Sequence, residues 1–153
     1  MKTLTGPDDV FAAQGTELGV SGYTTISQHD VNGFADVTGD HQWIHVDVER
    51  ARHSPFGSTI AHGFLTLSLL PRLLGDVYAF AGFAFGVNYG LNRVRFPAPV
   101  PVGSKLRARA RLAAVARVPG GLQVTIENTI EREGSAKPVC VAEMLVRLYL
   151  EEP

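Results

Sequence analysis

Residues 61–75 read AHGFLTLSLLPRLLG and predict a helix around which the rest of the chain packs. Apolar side chains cover nearly its whole circumference; they are Phe64, Leu65, Leu67, Leu69, Leu70, Leu73 and Leu74. A helix that is apolar all round is typical of a helix buried inside a protein. Pro71 has no backbone N–H to donate, so we expect it to kink or divide the helix.

Alternating apolar and polar side chains predict strands on both sides of this helix. The clearest case is KLRARARL at 105–112, a strict period of two that is typical of a half-buried strand. Turn-forming residues at 119–121 and 134–135 separate it from later strands. The five expected strands are 17–26, 88–96, 105–112, 122–127 and 140–150. We therefore expect an α+β fold: a curved, mostly antiparallel sheet wrapped around the central helix.

Two shorter helices are expected between the first strand and the central helix. Ser27 is a plausible N-cap for a helix over 28–37, and Asp47 opens another that extends to His53. A chain of 153 residues has room for one domain of ordinary size, which we expect to cover 1–153. The content of 45% hydrophobic residues is sufficient for a core that needs no disulfide or metal.

Charge and composition argue against several partners. The 14 basic and 15 acidic residues give a net charge of −1, whereas binding to nucleic-acid phosphates usually needs a basic excess. No apolar run approaches the roughly 18 residues of a membrane span, and the first residues lack the apolar segment of a signal peptide. Cys140 is the single cysteine, which suits a reducing compartment. We expect a soluble protein of the cytoplasm, with no nucleic-acid or membrane partner.

The chemistry is concentrated in the first half of the chain. All the histidines lie between positions 29 and 62, and they are His29, His41, His45, His53 and His62. The densest stretch, FADVTGDHQWIHVD at 34–47, places Asp40 five residues before His45. If the loop folds back, this carboxylate and imidazole face one small volume, where they can hold a water molecule and transfer two protons.

This stretch resembles the hydratase-2 signature of the MaoC-like family, the (R)-specific enoyl-CoA hydratases of the hot-dog fold. The matching residues are Phe34, Thr38, Gly39, Asp40, Ile44, His45 and Ala51. Gln42-Trp43 replaces the usual Asn-Pro of the signature, and one extra residue follows the aromatic; this variant resembles the nodulation-protein-N-like branch. Residues 60–65 and 94–100 resemble the family's entry into the central helix and its following strand.

The resemblance implies a role for each matching residue. Asp40 and His45 would be the catalytic pair, and the backbone N–H of Gly63 would hold the thioester oxygen. Ser68 matches a position whose hydroxyl steadies the catalytic carboxylate in relatives. The implied reaction is the hydration of trans-2-enoyl-CoA to (R)-3-hydroxyacyl-CoA, a step of fatty acid metabolism, and its reverse. It needs no metal and no cofactor besides the coenzyme A thioester substrate.

Each of these residues has a purely structural alternative. A Gly-Asp turn after a helix is often an Asx-type cap, and Ser68 alone would be a satisfied core hydroxyl. His62 is expected to be a hydrogen-bonded packing residue, and a metal held by Asp40, His41 and His45 is disfavoured because Gly39 argues against a helix there.

The row of basic residues at 105, 107, 109 and 111 has two interpretations. It could bind coenzyme A phosphates, or it could form cross-strand ion pairs on a solvated face. A turn at 119–121 favours the ion pairs, because it would place Arg109 opposite Glu131 and Arg107 opposite Glu133.

Two other functions compete with hydration. A thioesterase of the same fold commonly carries a carboxylate on the central helix, and 63–75 contains none. A non-catalytic acyl-CoA-binding module is disfavoured by the intact Asp40/His45 pair. The strand at 88–96 has few features that would block an exposed edge, so we also expect a homodimer.

Overall fold

The computed structural model describes residues 1–150. In chain order its elements are β1 (Lys2–Thr5), α1 (Gly6–Ala12), β2 (Glu17–Val20), β3 (Thr24–Thr25), α2 (Gln28–Thr38), α3 (Trp43–Val46), α4 (Val48–Arg52), α5 (Gly63–Ser68), α6 (Leu70–Leu74), β4 (Tyr78–Ala81), β5 (Phe85–Arg95), β6 (Lys105–Val118), β7 (Gly121–Arg132) and β8 (Cys140–Tyr149). The last three residues of the expected domain 1–153 lie outside the described residues.

The main sheet is antiparallel and has the strand order β2-β6-β7-β8-β5, with β3 also paired to β6. It has six strands rather than about five, because the expected strand 17–26 is divided into β2 and β3. Period-two alternation places Leu106, Ala108, Ala110 and Leu112 on the inner face, where they are fully buried. One hydrophobic cluster extends from Leu4 to Leu148. The predicted sheet packed around a central helix is confirmed.

The central helix is divided, as the proline predicted. Leu69 separates α5 from α6, and Pro71 stands in the first turn of α6, where its missing N–H costs no helical hydrogen bond. The expectation that the helix is buried on every side is wrong. Phe64 is 72% exposed in the single chain, because the open sheet covers only the side of the helix that carries the leucines.

The basic row on β6 forms cross-strand ion pairs, but the expected register is wrong. Arg107 lies opposite Glu131 and pairs with it. Arg109 lies opposite Thr129 and pairs with Glu17 on β2 and, at 3.8 Å, with Glu131. The turn uses only the two residues between Val118 and Gly121, and a bulge between Leu112 and Ala114 shifts the pairing further. The row is therefore neutralised within the chain, which disfavours the phosphate-binding interpretation.

The helix before the site begins as expected. Ser27 accepts a hydrogen bond from Asp30 N, and the Asp30 carboxylate accepts one from Ser27 N, which forms a capping box. Sequence patterns did not predict β1, α1 or β4; β1 and β4 form a parallel two-stranded sheet, and α1 lies between β1 and β2 in the chain. Within residues 1–150 no helix is long and apolar enough to cross a membrane.

Candidate active site

Asp40 stands on the loop that follows α2. The helix ends at Gly39, whose φ of 77° is the left-handed conformation that glycine adopts without strain. The chain therefore changes direction immediately after the helix, and the Asp40 side chain is 53% exposed. One carboxylate oxygen accepts a hydrogen bond of 3.3 Å from Gln42 N, which is the Asx-type contact considered above. The other oxygen makes no hydrogen bond within residues 1–150 and lies 4.0 Å from His62 Nε2.

His45 is buried in the short helix α3, with 6% of its surface exposed. Its Nδ1 lies 2.7 Å from the carbonyl oxygen of Ile60, which can only accept, so Nδ1 carries the proton. In the neutral ring Nε2 then holds a free lone pair. Burial lowers the pKa of His45 below the ordinary value of 6.5, although the hydrogen bond to Ile60 acts in the opposite direction. The neutral ring is the form that the site favours.

Gln28 secures the segment that carries His45. Its side-chain amide donates a hydrogen bond of 2.8 Å to the His45 carbonyl, and its oxygen accepts one of 2.6 Å from the hydroxyl of Thr59. A backbone hydrogen bond of 3.0 Å from Ile60 N to Ile44 O adds to this connection. α2, α3 and the strand-like segment before α5 are thus linked around His45. No sequence pattern pointed to Gln28 beyond its place in the first turn of α2.

His62 joins the site from the start of α5 and is 3% exposed. Its Nε2 lies 2.9 Å from the Asp40 carbonyl oxygen, and its ring stacks on His45 at a centroid distance of 3.8 Å. One carboxylate oxygen of Asp40 and one ring nitrogen from each of His45 and His62 all lie within 4.8 Å of one another. The fold thus brings Asp40 and His45 together. Sequence reasoning expected His62 only to pack and to hydrogen-bond, and its position beside Gly63 was the only available sign of a nearer role.

Gly63 and His45 line the same pocket, which has a volume of about 280 Å³ and mainly apolar walls. Phe56, Phe96 and Thr66 line it as well. A Cβ added to Gly63 would lie 3.2 Å from the Phe96 ring, so glycine allows this close packing. As the first residue of α5, Gly63 has an N–H without a helical acceptor, as the proposed thioester contact requires.

Ser68 does not join this group. It is exposed, and its hydroxyl donates a hydrogen bond of 2.7 Å to the Phe64 carbonyl in its own helix. Within residues 1–150 it makes no hydrogen bond to Asp40, so a role in steadying that carboxylate stays a prediction without support from these contacts.

The three clustered side chains do not form a good metal site. The His45 and His62 rings are stacked with an interplanar angle of 25°. Their lone pairs, which lie in the ring planes, therefore run in nearly parallel planes rather than converge on one ion. His41, the third residue of the disfavoured metal set, instead pairs with Asp36 at 2.8 Å. The donor arrangement supports proton transfer better than metal coordination.

Comparison with known proteins gives a consistent result. A family model described as the MaoC-like domain matches residues 10–133. The 3-hydroxyacyl-thioester dehydratase Z of Mycobacterium tuberculosis is 57% identical over 148 residues, covering 96% of this chain and 98% of that protein. Nodulation protein N of Rhizobium leguminosarum is 45% identical over 146 residues, covering 94% and 91%.

Structural comparison supports the same fold. An unliganded R-hydratase of Pseudomonas aeruginosa superposes with a TM-score of 0.72 at 24% identity, covering 90% of this chain and 83% of that one. At this level of identity the likeness concerns the fold alone. It confirms the hot-dog arrangement that the sequence resemblance implied.

Proposed function

The chain belongs to the MaoC-like dehydratase family, and from that premise we propose that it adds water to trans-2-enoyl-CoA to give (R)-3-hydroxyacyl-CoA and catalyses the reverse dehydration. It is a hydro-lyase, as the name of its mycobacterial relative, a 3-hydroxyacyl-thioester dehydratase, indicates. The observation that carries the substrate and mechanism is the pairing of the Asp40 carboxylate with a neutral, buried His45 beside an apolar pocket.

The reaction needs two proton transfers and no change of oxidation state. The oxygen of water bonds to the β-carbon of the enoyl group while water loses a proton, and a proton bonds to the α-carbon. A water molecule can donate one hydrogen bond to the free carboxylate oxygen of Asp40 and another to the lone pair on His45 Nε2. The pair relays the protons and ends in the protonation state in which it began.

The pocket beside His45 supports an acyl thioester as the substrate. Its apolar walls suit an acyl chain, and the Gly63 N–H at one edge suits the thioester oxygen. Negative charge grows on that oxygen while the β-carbon is attacked, so a fixed donor there stabilises the transition state more than the ground state. The predicted role of Ser68 in steadying the Asp40 carboxylate is not needed for these steps.

Hydration can be tested with purified protein and crotonyl-CoA or a longer enoyl-CoA. We expect the ultraviolet absorbance of the conjugated thioester to fall without release of free thiol. The product should resist an (S)-specific 3-hydroxyacyl-CoA dehydrogenase supplied with NAD⁺, because it has the (R) configuration. Thiol release would indicate a thioesterase, and binding without turnover would indicate a non-catalytic acyl-CoA module.

We propose that the reaction uses no metal or redox cofactor. The support is the stacked geometry of the two imidazoles and the proton-transfer chemistry that the pair can perform alone. Dialysis against a strong chelator should leave the hydration rate unchanged. A loss of rate that zinc restores would contradict this assignment.

A homodimer is proposed on the basis of the exposed apolar surface. Strand β5 is an edge strand with exposed Val87, Tyr89 and Leu91, and Phe64 of α5 is also exposed. Pairing through a twofold axis would cover such an edge. Light scattering at micromolar concentration should give about twice the 16.5 kDa chain mass, and a fully active monomer would contradict the proposal.

A cytoplasmic location is proposed from the lone buried Cys140, which cannot form an internal disulfide.

A further inference from the structure

His62 contacts both members of the proposed catalytic pair, although the reaction as derived above gives it no task. It donates to the backbone of Asp40 through Nε2 and stacks on the ring of His45. It is 3% exposed, and its Nδ1 has no hydrogen-bond partner within residues 1–150. A buried histidine that leaves one nitrogen unsatisfied carries a cost that an apolar residue would avoid. The hydrogen bond from His62 Nε2 to the Asp40 carbonyl is therefore the contact that a histidine provides here and an apolar residue would not.

Asp40 depends on this contact more than on any other. Its remaining hydrogen bonds join it only to residues two positions away and are long: 3.4 Å from Asp40 N to the Thr38 hydroxyl and 3.3 Å from Gln42 N to the carboxylate. The bond from His62 measures 2.9 Å and spans 22 residues. It is the single hydrogen bond within residues 1–150 that ties Asp40 to a distant element. The loop after Gly39 is thereby fixed to the start of α5.

His45 is held differently. Its ring is fixed by Ile60, and its backbone is fixed by Gln28, so it keeps its place without the His62 donor. Loss of that donor would therefore move Asp40 relative to His45 rather than displace both. A shift of about 1 Å between reacting groups can cost on the order of 100-fold in rate.

On the basis of the proposed hydratase function, we propose that His62 is a positioning residue whose Nε2–H, through the Asp40 carbonyl, holds the Asp40 carboxylate beside the His45 ring. It touches neither water nor substrate in this role. What it supplies is the geometry of the pair.

Two substitutions separate the donor from the ring. His62→Gln keeps an N–H donor near the position of Nε2 and loses the stack, whereas His62→Phe keeps a ring and loses the donor. We expect kcat of H62F to fall by about 10- to 100-fold with KM within about twofold, and H62Q to recover most of that loss. His62→Leu offers a second donor-free variant if phenylalanine does not fold, and melting curves verify folding throughout.

A double-mutant cycle tests whether the effect passes through Asp40. In an Asp40→Asn background the carboxylate is absent, so adding H62F should lower the residual rate by less than about threefold. Full multiplicative loss in the double variant would overturn the proposal. So would equal losses of kcat in H62F and H62Q.

Hydrogen–deuterium exchange provides a measurement that does not depend on activity. Amides of the loop at 39–42 should exchange faster in H62F than in the wild type and return toward wild-type protection in H62Q. Unchanged exchange in H62F would overturn the proposed tether. If the exchange pattern is found but the wild type hydrates no enoyl-CoA, the tether stands and the proposed function is the part that fails.

Discussion

Two Asp–His pairs in this chain share residue types and spacing but differ in environment. Asp36 and His41 are five residues apart, as are Asp40 and His45. The first pair is exposed, and its two side chains bond each other at 2.8 Å. That hydrogen bond raises the pKa of His41, whereas burial lowers the pKa of His45. Spacing alone therefore does not define a catalytic pair.

The comparison shows what distinguishes the second pair. The Asp36 carboxylate is hydrogen-bonded to the His41 ring, so these two groups satisfy each other. In the second pair the Nδ1 proton of His45 is donated to the Ile60 carbonyl, which leaves the Nε2 lone pair free, and one Asp40 carboxylate oxygen makes no hydrogen bond within residues 1–150, with His62 Nε2 4.0 Å away. A pocket lies beside the second pair, and its lining includes His45. Polar atoms without hydrogen bonds beside a cavity are typical of a site that binds a ligand.

The strongest test replaces the aspartate or the histidine of each pair, one residue at a time. Asp40→Asn and His45→Gln should each lower kcat for enoyl-CoA hydration by about 10²- to 10⁴-fold, because each removes a proton-transfer group. Asp36→Asn and His41→Gln are the matched controls and should stay within about twofold of the wild type. All four changes are nearly isosteric, and thermal melting verifies folding. If an Asp40 or His45 variant kept more than half of the wild-type kcat, that residue would not be catalytic.

The opposite pKa directions lead to a test by pH. The proposed mechanism requires the neutral ring of His45, and its lowered pKa keeps the ring neutral to pH values below 6.5. We expect kcat/KM to stay constant as the pH is lowered past 6.5. Below the lowered pKa of His45 it should fall by up to about tenfold per pH unit. Initial rates from pH 4.5 to 8 measure the midpoint. A midpoint at or above 6.5, or one that moves in His41→Gln, would assign the titration to another group.

A substitution in the pocket should lower the activity that depends on Asp40 and His45 and leave the exposed Asp36–His41 pair unchanged. Gly63→Ala places a methyl group about 3.2 Å from the Phe96 ring, which is 42% exposed and can yield toward the pocket. We expect kcat/KM to fall by about tenfold while melting changes little, since alanine favours a helix more than glycine does. Steady-state kinetics and calorimetry provide the two readouts. A large loss of stability would show that Phe96 cannot move and that packing dominates.

The smallest effect concerns the first pair and leaves activity unchanged. Asp36→Asn replaces the charged acceptor that raises the pKa of His41 with a neutral amide, so that pKa should fall toward 6.5. An NMR titration of the His41 ring protons measures the shift, with the His45 signals as an internal reference. An unchanged His41 pKa would mean that Asp36 is not its main partner in solution.

Several parts of the fold could be predicted because their causes are local. Ser27 and Asp30 form a capping box within one helical turn, and Gly39 ends the same helix. The strict alternation around Leu106 defines which face of β6 is buried. The register of β6 on β7 could not be predicted, because it depends on a bulge that the alternation does not reveal.

The site was predicted only in part. Asp40 and His45 were predicted to be the catalytic pair because a sequence signature contains both, and that role stays a prediction. His62 and Gln28 were not assigned to the pair. The contact of His62 with Asp40 spans 22 residues, and that of Gln28 with the His45 carbonyl spans 17. No local pattern encodes such contacts, since they exist only after α2, α3 and α5 have packed together.

The sequence by itself determined the class of fold, the family and the two groups that can transfer protons, because periodicity, capping and signature spacing are properties of short segments. Only the tertiary structure decided which Asp–His pair has its histidine buried beside a pocket, which tautomer His45 adopts and what holds Asp40 in place. Those features depend on desolvation and on hydrogen bonds between distant segments. Both arise when the chain folds and surrounds the groups with their partners.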